Sequence, residues 1–371
     1  MNQEIFSLRK ENASELRSVL VTGKVFRYGE NRIALPREVV LGHGGGVDSV
    51  VFEAIRYSDL SRPTFWRVWW QAIRPENFLL TLLPSLSILI YGLVNGWSAN
   101  TGMGLLALLG VFCLQIAIIA LNDVEDYLRL VDFPNILSGT RVLQKGWLSV
   151  SDLRKMAIIS LVLGIALGLP VAWQSPAVLV PVGIVTLLGV LSFSNRPFGM
   201  KYRALGEFVL FWLIGPLLAL GISEAIFQRR DVGILLLGAA YGNLACVISH
   251  LKNMRDIEVD RSRGVVTLAT LKGFKRSRLD VLFFSGAAVV LALGSMVFGA
   301  SYGTIVRPII LSLGLLGGLL LLTCWPLFKA VYKASGPYSA LFYAIERKAF
   351  LNYLAFGIFL SLGYLASSFL H

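Results

Sequence analysis

Two short acidic stretches in an otherwise apolar chain carry the residue types that bind divalent cations. The first runs from Asn122 to Asp126 and the second from Asn253 to Asp260, and each begins where a long apolar run stops. On a helix, Asn122 and Asp126 are four residues apart and share one face. Carboxylates at the end of a membrane-length segment are costly to desolvate, so their presence there favours a role with an ion or a substrate.

The second stretch repeats the spacing of the first. Asp256 and Asp260 are also four residues apart, Asn253 lies one turn before them, and Lys and Arg residues accompany both stretches. Oxygen ligands of this kind suit hard divalent cations, and basic neighbours suit a polyanion. The two stretches therefore predict cations that hold a polyanion between them. Ordinary ion pairs at a membrane surface are the alternative, and they explain one cluster better than two matched ones.

The composition indicates a membrane protein. Of the 371 residues, 56% are hydrophobic and only 15% are charged, whereas a soluble domain carries about a quarter charged residues. The formal net charge is +12, but the basic residues lie in short loops between apolar runs. That placement follows the positive-inside rule and argues against a nucleic-acid partner.

The hydropathy pattern from Phe65 onward predicts an all-α fold of nine transmembrane helices around a central cavity, each near the ~20 residues that cross a bilayer. Basic residues concentrate after the second, fourth, sixth and eighth spans. This distribution predicts a multi-pass protein of the cell membrane, with its amino terminus and acidic stretches in the cytoplasm and its carboxyl terminus outside. The approximate centres of the predicted spans are Leu86, Leu109, Leu163, Val185, Leu213, Leu237, Val289, Leu315 and Phe356.

The first part of the chain differs from the rest. Residues 1–61 are polar and predict a cytoplasmic extension, whereas residues 62–371 form the predicted membrane domain. Within the extension, the segment from Lys24 to Leu35 predicts a short β-hairpin. The glycines from Gly44 to Gly46 predict a flexible joint, so we expect a small cap or docking piece on a hinge.

The acidic stretches resemble the two signatures of a known family. Asn122, Asp123 and Asp126 form an Asn-Asp-x-x-Asp motif with Asp132 shortly after it, and the segment from Asn253 to Ala269 contains an Asp-x-x-x-Asp motif. Both resemble motifs of the UbiA superfamily of intramembrane prenyltransferases.

Three further segments resemble the 1,4-dihydroxy-2-naphthoate branch of that superfamily, which serves menaquinone biosynthesis. They are Arg141 to Gly146, Asn195 to Gly199 with Lys201 after it, and Gly215-Pro216. One feature departs from the pattern, because Ser192-Phe193 stands where a Tyr is common upstream of the central-loop Lys. The sequence therefore predicts no phenol at this position.

The resemblance implies roles for individual residues. It implies Mg²⁺ as the cofactor, with Asn122, Asp126, Asp132, Asp256 and Asp260 as metal ligands. The diphosphate-binding residues that it implies are Arg141, Lys145, Lys201, Lys252 and Asn253. The residues that it implies for catalysis are Asp126, Asp256, Lys201 and Arg255.

The function implied by these roles is Mg²⁺-dependent transfer of a polyprenyl group from polyprenyl diphosphate to an aromatic acceptor, 1,4-dihydroxy-2-naphthoate, within membrane lipid. The same fold with 4-hydroxybenzoate, a tetrapyrrole or a glycerol phosphate as acceptor is the nearer alternative. A non-catalytic membrane subunit or a cation-coupled transporter is an alternative of a different class, although transporter sites lie near the middle of the membrane. The sequence leaves the prenyl chain length and the oligomeric state open.

Overall fold

The computed structural model describes residues 4–24, 32–42, 47–131, 140–299, 318, 322, 324–337 and 340–368. These residues contain eight segments that are helical, long and apolar enough to cross a membrane. Each segment contains one of the predicted span centres, so the prediction of a helical, multi-pass membrane fold is confirmed. The ninth predicted span, centred on Leu315, lies outside the described residues.

A small N-terminal module precedes the membrane helices. Its three strands form an antiparallel sheet in the order β1-β3-β2. Val50 and Phe52 are fully buried, which explains why β3 takes the central position. The elements of the module are β1 (Glu4–Arg9), α1 (Ala13–Thr22), β2 (Arg32–Leu41) and β3 (Val47–Arg56).

Only the second strand of the predicted hairpin lies in the described part of the chain. It belongs to β2, which pairs with β3, with Ile33 opposite Ile55. Residues 25–31, which would supply the first strand and the turn, lie outside the described residues, so the hairpin stays a prediction. The Gly-rich segment, at residues 43–46, also lies outside them. The prediction of a flexible joint there is therefore not tested.

Two of the membrane spans are interrupted at a proline. Pro75 follows Arg74, which ends the preceding helix in a left-handed conformation, and Pro216 begins a new helix after Gly215. The helices are α2 (Phe65–Ile73), α3 (Leu79–Val94), α4 (Thr101–Leu128), α5 (Val150–Gln174), α6 (Pro176–Ser194), α7 (Gly206–Ile214), α8 (Pro216–Phe227), α9 (Val232–Arg255), α10 (Ile257–Ser262), α11 (Leu268–Gly299), α12 (Trp325–Lys333) and α13 (Ala340–Ser368).

Helix α9 lies at the centre of the bundle. Its apolar window is 72% buried, more than that of any other described span. Small residues let its neighbours approach closely, because a Cβ added at Gly238 would lie 2.8 Å from the carbonyl oxygen of Gly215. Polar groups in this core pair with each other, as lipid requires: the Tyr241 hydroxyl lies 2.5 Å from Ser87 Oγ.

The N-terminal module shares a hydrophobic core with one end of the bundle. Leu8 and Phe52 of the module belong to the same buried cluster as Val124 and Tyr127 of α4 and Leu153 of α5. This end is where α4 and α9 reach their acidic stretches, and we call it the acidic end. The module therefore packs directly on the membrane helices, and the boundary at residue 61 stays a prediction.

Candidate functional site

Both acidic stretches line one cavity of about 920 Å³ at the acidic end of the bundle. Helix α4 contributes Asn122 and Asp126, the junction of α9 and α10 contributes Asp256, and α10 contributes Asp260. Two stretches that are separated by more than a hundred residues are thus brought together. Asp132 lies outside the described residues, so its place among the metal ligands stays a prediction.

The first stretch is held by the side chains of Lys201 and Tyr202. Lys201 Nζ donates to Asn122 Oδ1 at 2.8 Å and to Asp126 Oδ2 at 2.6 Å. The Tyr202 hydroxyl donates to the other carboxylate oxygen, Asp126 Oδ1, at 2.7 Å. Asn122 Nδ2 also donates to Asp126 Oδ2 at 2.8 Å, as the i,i+4 spacing predicts. Both oxygens of Asp126 are therefore fixed in position.

The loop that carries Lys201 is tied by its backbone to the segment that follows the second acidic stretch. Val266 N donates to Tyr202 O at 3.2 Å, and Ala204 N donates to Val266 O at 2.7 Å. Arg263 Nε donates to Leu130 O, just beyond α4, at 3.2 Å. These bonds connect the two acidic stretches through the chain segments that follow them, which explains how the loop reaches Asp126.

The second stretch begins where α9 ends. Asp256 leaves helical geometry, yet Asp260 N still donates to Asp256 O at 2.8 Å, so the two acidic residues remain one turn apart. Asp260 is 4% exposed. Burial raises the pKa of its carboxyl to about 8, and the nearby Asp256 and Asp126 carboxylates add to that effect while Lys201 and Arg255 oppose it. At neutral pH this carboxyl therefore retains a proton unless a cation displaces it.

Arg255 joins the second stretch to the last helix. Its guanidinium binds Asp256 with two bonds of 2.8 Å, from Nε and Nη2, and Nη1 donates to Glu346 Oε1 at 2.5 Å. Two parallel hydrogen bonds from one guanidinium fix both the position and the orientation of the carboxylate that accepts them. Arg255 thus positions Asp256 through direct contacts with two carboxylates.

Lys252 and Asn253 both line the cavity, one turn before Asp256. Asn253 Nδ2 donates to Glu207 Oε1 at 2.9 Å. The side-chain oxygen of Asn253 is therefore the end that can accept a hydrogen bond or coordinate a cation. Glu207 also lies 3.0 Å from His250 Nδ1, and His250 is fully buried. His250 is not among the residues that line the cavity, so its ring contacts Glu207 from behind the cavity wall.

The structure does not bring Arg141 and Lys145 into the cavity wall. Neither residue is among those that line the cavity. Lys145 is exposed, and its Nζ lies 4.2 Å from the centre of the Trp147 ring. Their assignment to the diphosphate stays a prediction.

Three site residues were missed in the sequence. Tyr202 supplies a phenol to the first stretch although Ser192-Phe193 occupies the position where a Tyr was expected. Arg74 Nη2 lies 3.6 Å from Asp123 Oδ1 at the cavity wall. Glu346 reaches Arg255 from a helix that is mostly apolar outside the charged run from Glu346 to Lys348, and that run was the available signal. Tyr202 and Arg74 lie between membrane helices among other polar residues, so nothing in their sequence context indicated a role in the site.

Away from the acidic stretches the cavity is lined mainly by apolar residues. It extends along α4 to Ala107, which is 19 residues and about 28 Å from Asp126 at 1.5 Å per residue. Gly168 of α5 and Gly183 of α6 line this part, and a Cβ added at either would meet no atom within 4 Å. The cavity thus joins a charged end to an apolar arm, a shape that fits an amphiphile with an anionic head.

The donor set fits a hard cation. The side chains that converge at the acidic end offer carboxylate and amide oxygens, which Mg²⁺ prefers. Within the described ranges no three His, Cys, Asp or Glu side chains form a closed metal site. The fold and the cavity define a multi-pass membrane protein with a cavity whose charged end and apolar arm have the shape to fit an amphiphile.

The comparisons with known proteins extend this class to a family. The UbiA prenyltransferase family model matches residues 81–366, so the chain belongs to the UbiA prenyltransferase family. It is a prenyltransferase, which decides against the transporter and the non-catalytic subunit. Among its relatives, 1,4-dihydroxy-2-naphthoate octaprenyltransferase of Escherichia coli is 28% identical over 61% of this chain and 76% of that protein. The Mycobacterium tuberculosis protein of the same name is 30% identical over 47% and 60%.

Solved structures confirm the fold. A UbiA homologue from Archaeoglobus fulgidus, bound to GPP and Mg²⁺, has a TM-score of 0.58 at 17% identity and covers 81% of this chain and 98% of its own. A homologue from Aeropyrum pernix, determined without ligand, has a TM-score of 0.56 at 17% identity, with coverage of 79% and 98%.

Proposed function

We propose that this protein transfers a polyprenyl group from polyprenyl diphosphate to 1,4-dihydroxy-2-naphthoate, with Mg²⁺, in menaquinone biosynthesis. The observation that carries the proposal is the meeting of Asp126, Asp256 and Asp260 at the charged end of a cavity with a long apolar arm. The acceptor is inferred from the curated relatives, whose names specify it. It is also inferred from the segment Arg141 to Gly146, which resembles that branch.

The residues that would hold Mg²⁺ are Asn122 and Asp126 on one side and Asp256 and Asp260 on the other. The chemistry that Mg²⁺ supplies when bound is neutralisation of the leaving diphosphate. Lys201 and Lys252 line the same end of the cavity. Their ammonium groups donate hydrogen bonds to the phosphate oxygens that the metal does not neutralise. The charged end thus favours departure of diphosphate with the electron pair of its C–O bond.

The allylic cation must then be shielded from water until a ring carbon of the acceptor forms the new C–C bond. The ring recovers aromaticity when that carbon loses a proton, or CO₂ from a ring carboxylate. The apolar wall excludes water around the cation. Of the described residues that line the cavity, three are aromatic: Phe193, Tyr202 and Phe350. Phe193 and Phe350 are our candidates for stabilising the cation through a ring face.

The orientation in the membrane follows from the basic residues. Lys155 and Arg203 lie at the acidic end, as do Arg129, Arg261 and Lys272, whereas Arg229 and Arg230 lie at the opposite end. By the positive-inside rule this distribution supports an orientation with the acidic end and the N-terminal module in the cytoplasm of a cell-membrane protein.

The acceptor is tested by mass spectrometry of products from the purified protein. It is given 1,4-dihydroxy-2-naphthoate, 4-hydroxybenzoate, a tetrapyrrole and a glycerol phosphate in one mixture, with prenyl diphosphates of several lengths. We expect the naphthoate to carry the prenyl group in nearly all of the product. A dominant product from another acceptor would refute the assignment and leave prenyl transfer intact.

A further inference from the structure

The N-terminal module lies outside the matched family segment, and the proposed chemistry assigns it no part. We propose that it is a positioning element for the diphosphate end of the cavity. It would act by fixing residues 140–148, the loop that leads from the first acidic stretch to α5. The proposal rests on the proposed function, because it concerns binding of the diphosphate.

The module and this loop are packed without space between them. Gly146 has a φ of 66°, and a Cβ added there would lie 2.7 Å from Leu35 Cδ2 and 3.1 Å from Ile33 Cδ1. Val142 of the loop is fully buried, in the same cluster as Val50 and Phe52 of β3. The sheet is thus the surface on which the loop rests.

Hydrogen bonds fix the loop at both of its ends. Gln71 Nε2 donates to Thr140 O at 2.6 Å, and Trp147 Nε1 donates to Ser61 O at 3.0 Å. The guanidinium of Arg62 donates to the Trp147 carbonyl oxygen. The segment that connects the module to α2 therefore holds the loop where it returns towards α5.

The loop and the module together determine where the first acidic stretch lies. Val124 and Tyr127 are buried against the module, and they alternate along the last turns of α4 with Asp123 and Asp126, which line the cavity. Arg74, at the end of the helix that carries Gln71, lies 3.6 Å from Asp123. Any shift of the module would move α4 and the Asp126 carboxylate with it.

The test measures how tightly the full-length protein binds inorganic pyrophosphate with Mg²⁺, by calorimetry in detergent. Leu35→Ala removes the contact with Gly146, and we expect the dissociation constant to rise by about tenfold, since small misplacements of binding groups cost up to about 100-fold. Leu35→Met should restore most of the affinity. Ile5→Ala, an exposed position of the same sheet, is the matched control and should bind like the wild type.

A double-mutant cycle separates positioning from general loss of stability. Gly146→Ala places a methyl group against Leu35, so it should also weaken binding, and Leu35→Ala should relieve part of that effect because it makes room. The KM for the acceptor should stay within about twofold of the wild-type value in each variant. Should Leu35→Ala fail to fold, Leu35→Val takes its place in the cycle.

Unchanged pyrophosphate affinity in folded Leu35 and Gly146 variants would overturn the proposal, as would strictly additive effects. Because the readout is binding, it does not require prenyl transfer. A wild-type protein that binds pyrophosphate but prenylates nothing would refute the proposed function alone.

Discussion

Lys201 and Asp126 form a direct ion pair between the central loop and the first acidic stretch, with Nζ 2.6 Å from Oδ2. The same ammonium group lies 2.8 Å from Asn122 Oδ1. In the proposed function these two oxygens are ligands of a divalent cation. Lys201 would then hold the proposed ligands in place, and its charge would also oppose binding of a cation before the diphosphate arrives.

Replacing Lys201 should separate these two effects. In Lys201→Met we expect the KM for prenyl diphosphate to rise by about tenfold or more, because a charge-assisted bond to phosphate is lost. Affinity for Mn²⁺ without diphosphate, measured by electron paramagnetic resonance, should rise because the competing ammonium is gone. Lys155→Met, at an exposed position on α5, serves as the control. A rise in the acceptor KM alone would contradict the assigned role.

Tyr202 gives a second prediction about the same carboxylate. Burial raises the pKa of its hydroxyl well above the ordinary value, and the adjacent Asp126 adds to that effect, so the phenol stays protonated and donates. Tyr202→Phe should reduce kcat/KM for prenyl diphosphate by about tenfold, the cost of one hydrogen bond to a charged group. Tyr57→Phe is the control at an exposed position. Equal steady-state constants for Tyr202→Phe and the wild type would exclude the contribution of the phenol.

The membrane architecture could be predicted because its signals are local. The length of the apolar runs and the charges of the loops predicted the eight described spans. The i,i+4 spacing of Asn122 and Asp126 predicted that the two side chains share one face of α4. The sequence motif also identified Lys201, which the structure brings to Asp126. These inferences needed no knowledge of how distant segments pack.

What was missed depends on tertiary packing. The pairing of β2 with β3 accompanies burial of Val50 and Phe52 in one cluster with residues of α4 and α5, which no local pattern reveals. The contact of Glu346 with Arg255 joins residues 91 positions apart. Lys145 contacts the Trp147 ring at the surface, and its assignment to the diphosphate, which the resemblance implied, stays a prediction. Single-sequence patterns record spacing along one element but not such contacts between elements.

The raised pKa of Asp260 predicts a pH-dependent metal site. Its pKa of about 8 means that the metal-free carboxyl holds a proton at neutral pH, and a bound cation must displace it. Apparent Mg²⁺ affinity should therefore rise with pH and level off above about 8. The folded state holds a proton that the unfolded state releases above about pH 4, so the free energy of unfolding of the metal-free protein should fall between about pH 4 and 8.

Calorimetric titrations with Mg²⁺ and pyrophosphate on both sides of about pH 8 would measure this dependence. Asp260→Asn removes the titrating group and should bind Mg²⁺ weakly with little change across the range. Affinity of the wild type that is flat in pH would show that Asp260 is ionised without metal, and the prediction would then be wrong.

The glycines of the apolar arm predict a limit on the prenyl chain. Side chains added at Gly168 or Gly183 would extend into the space that the arm provides. Gly168→Leu and Gly183→Leu should lower kcat/KM for the longest diphosphates most, while the shortest ones react nearly as in the wild type. Gly286→Leu, on α11 and also with no atom near its added Cβ, is the matched control away from the cavity wall. A uniform loss over all chain lengths would indicate damage to the fold.

The dependence of turnover on the two acidic stretches is measured most directly with Asp126→Asn and Asp256→Asn. Release of diphosphate and formation of prenylated acceptor are followed together in the purified wild type and both variants, with Mg²⁺ and with EDTA. Each substitution should lower turnover by about 100-fold or more, since neutralisation of the leaving group supplies several kcal/mol, while monodisperse elution in detergent shows that the protein is folded. EDTA should abolish wild-type turnover. Near wild-type rates in either variant, or full activity in EDTA, would contradict a diphosphate held by metal between the two stretches.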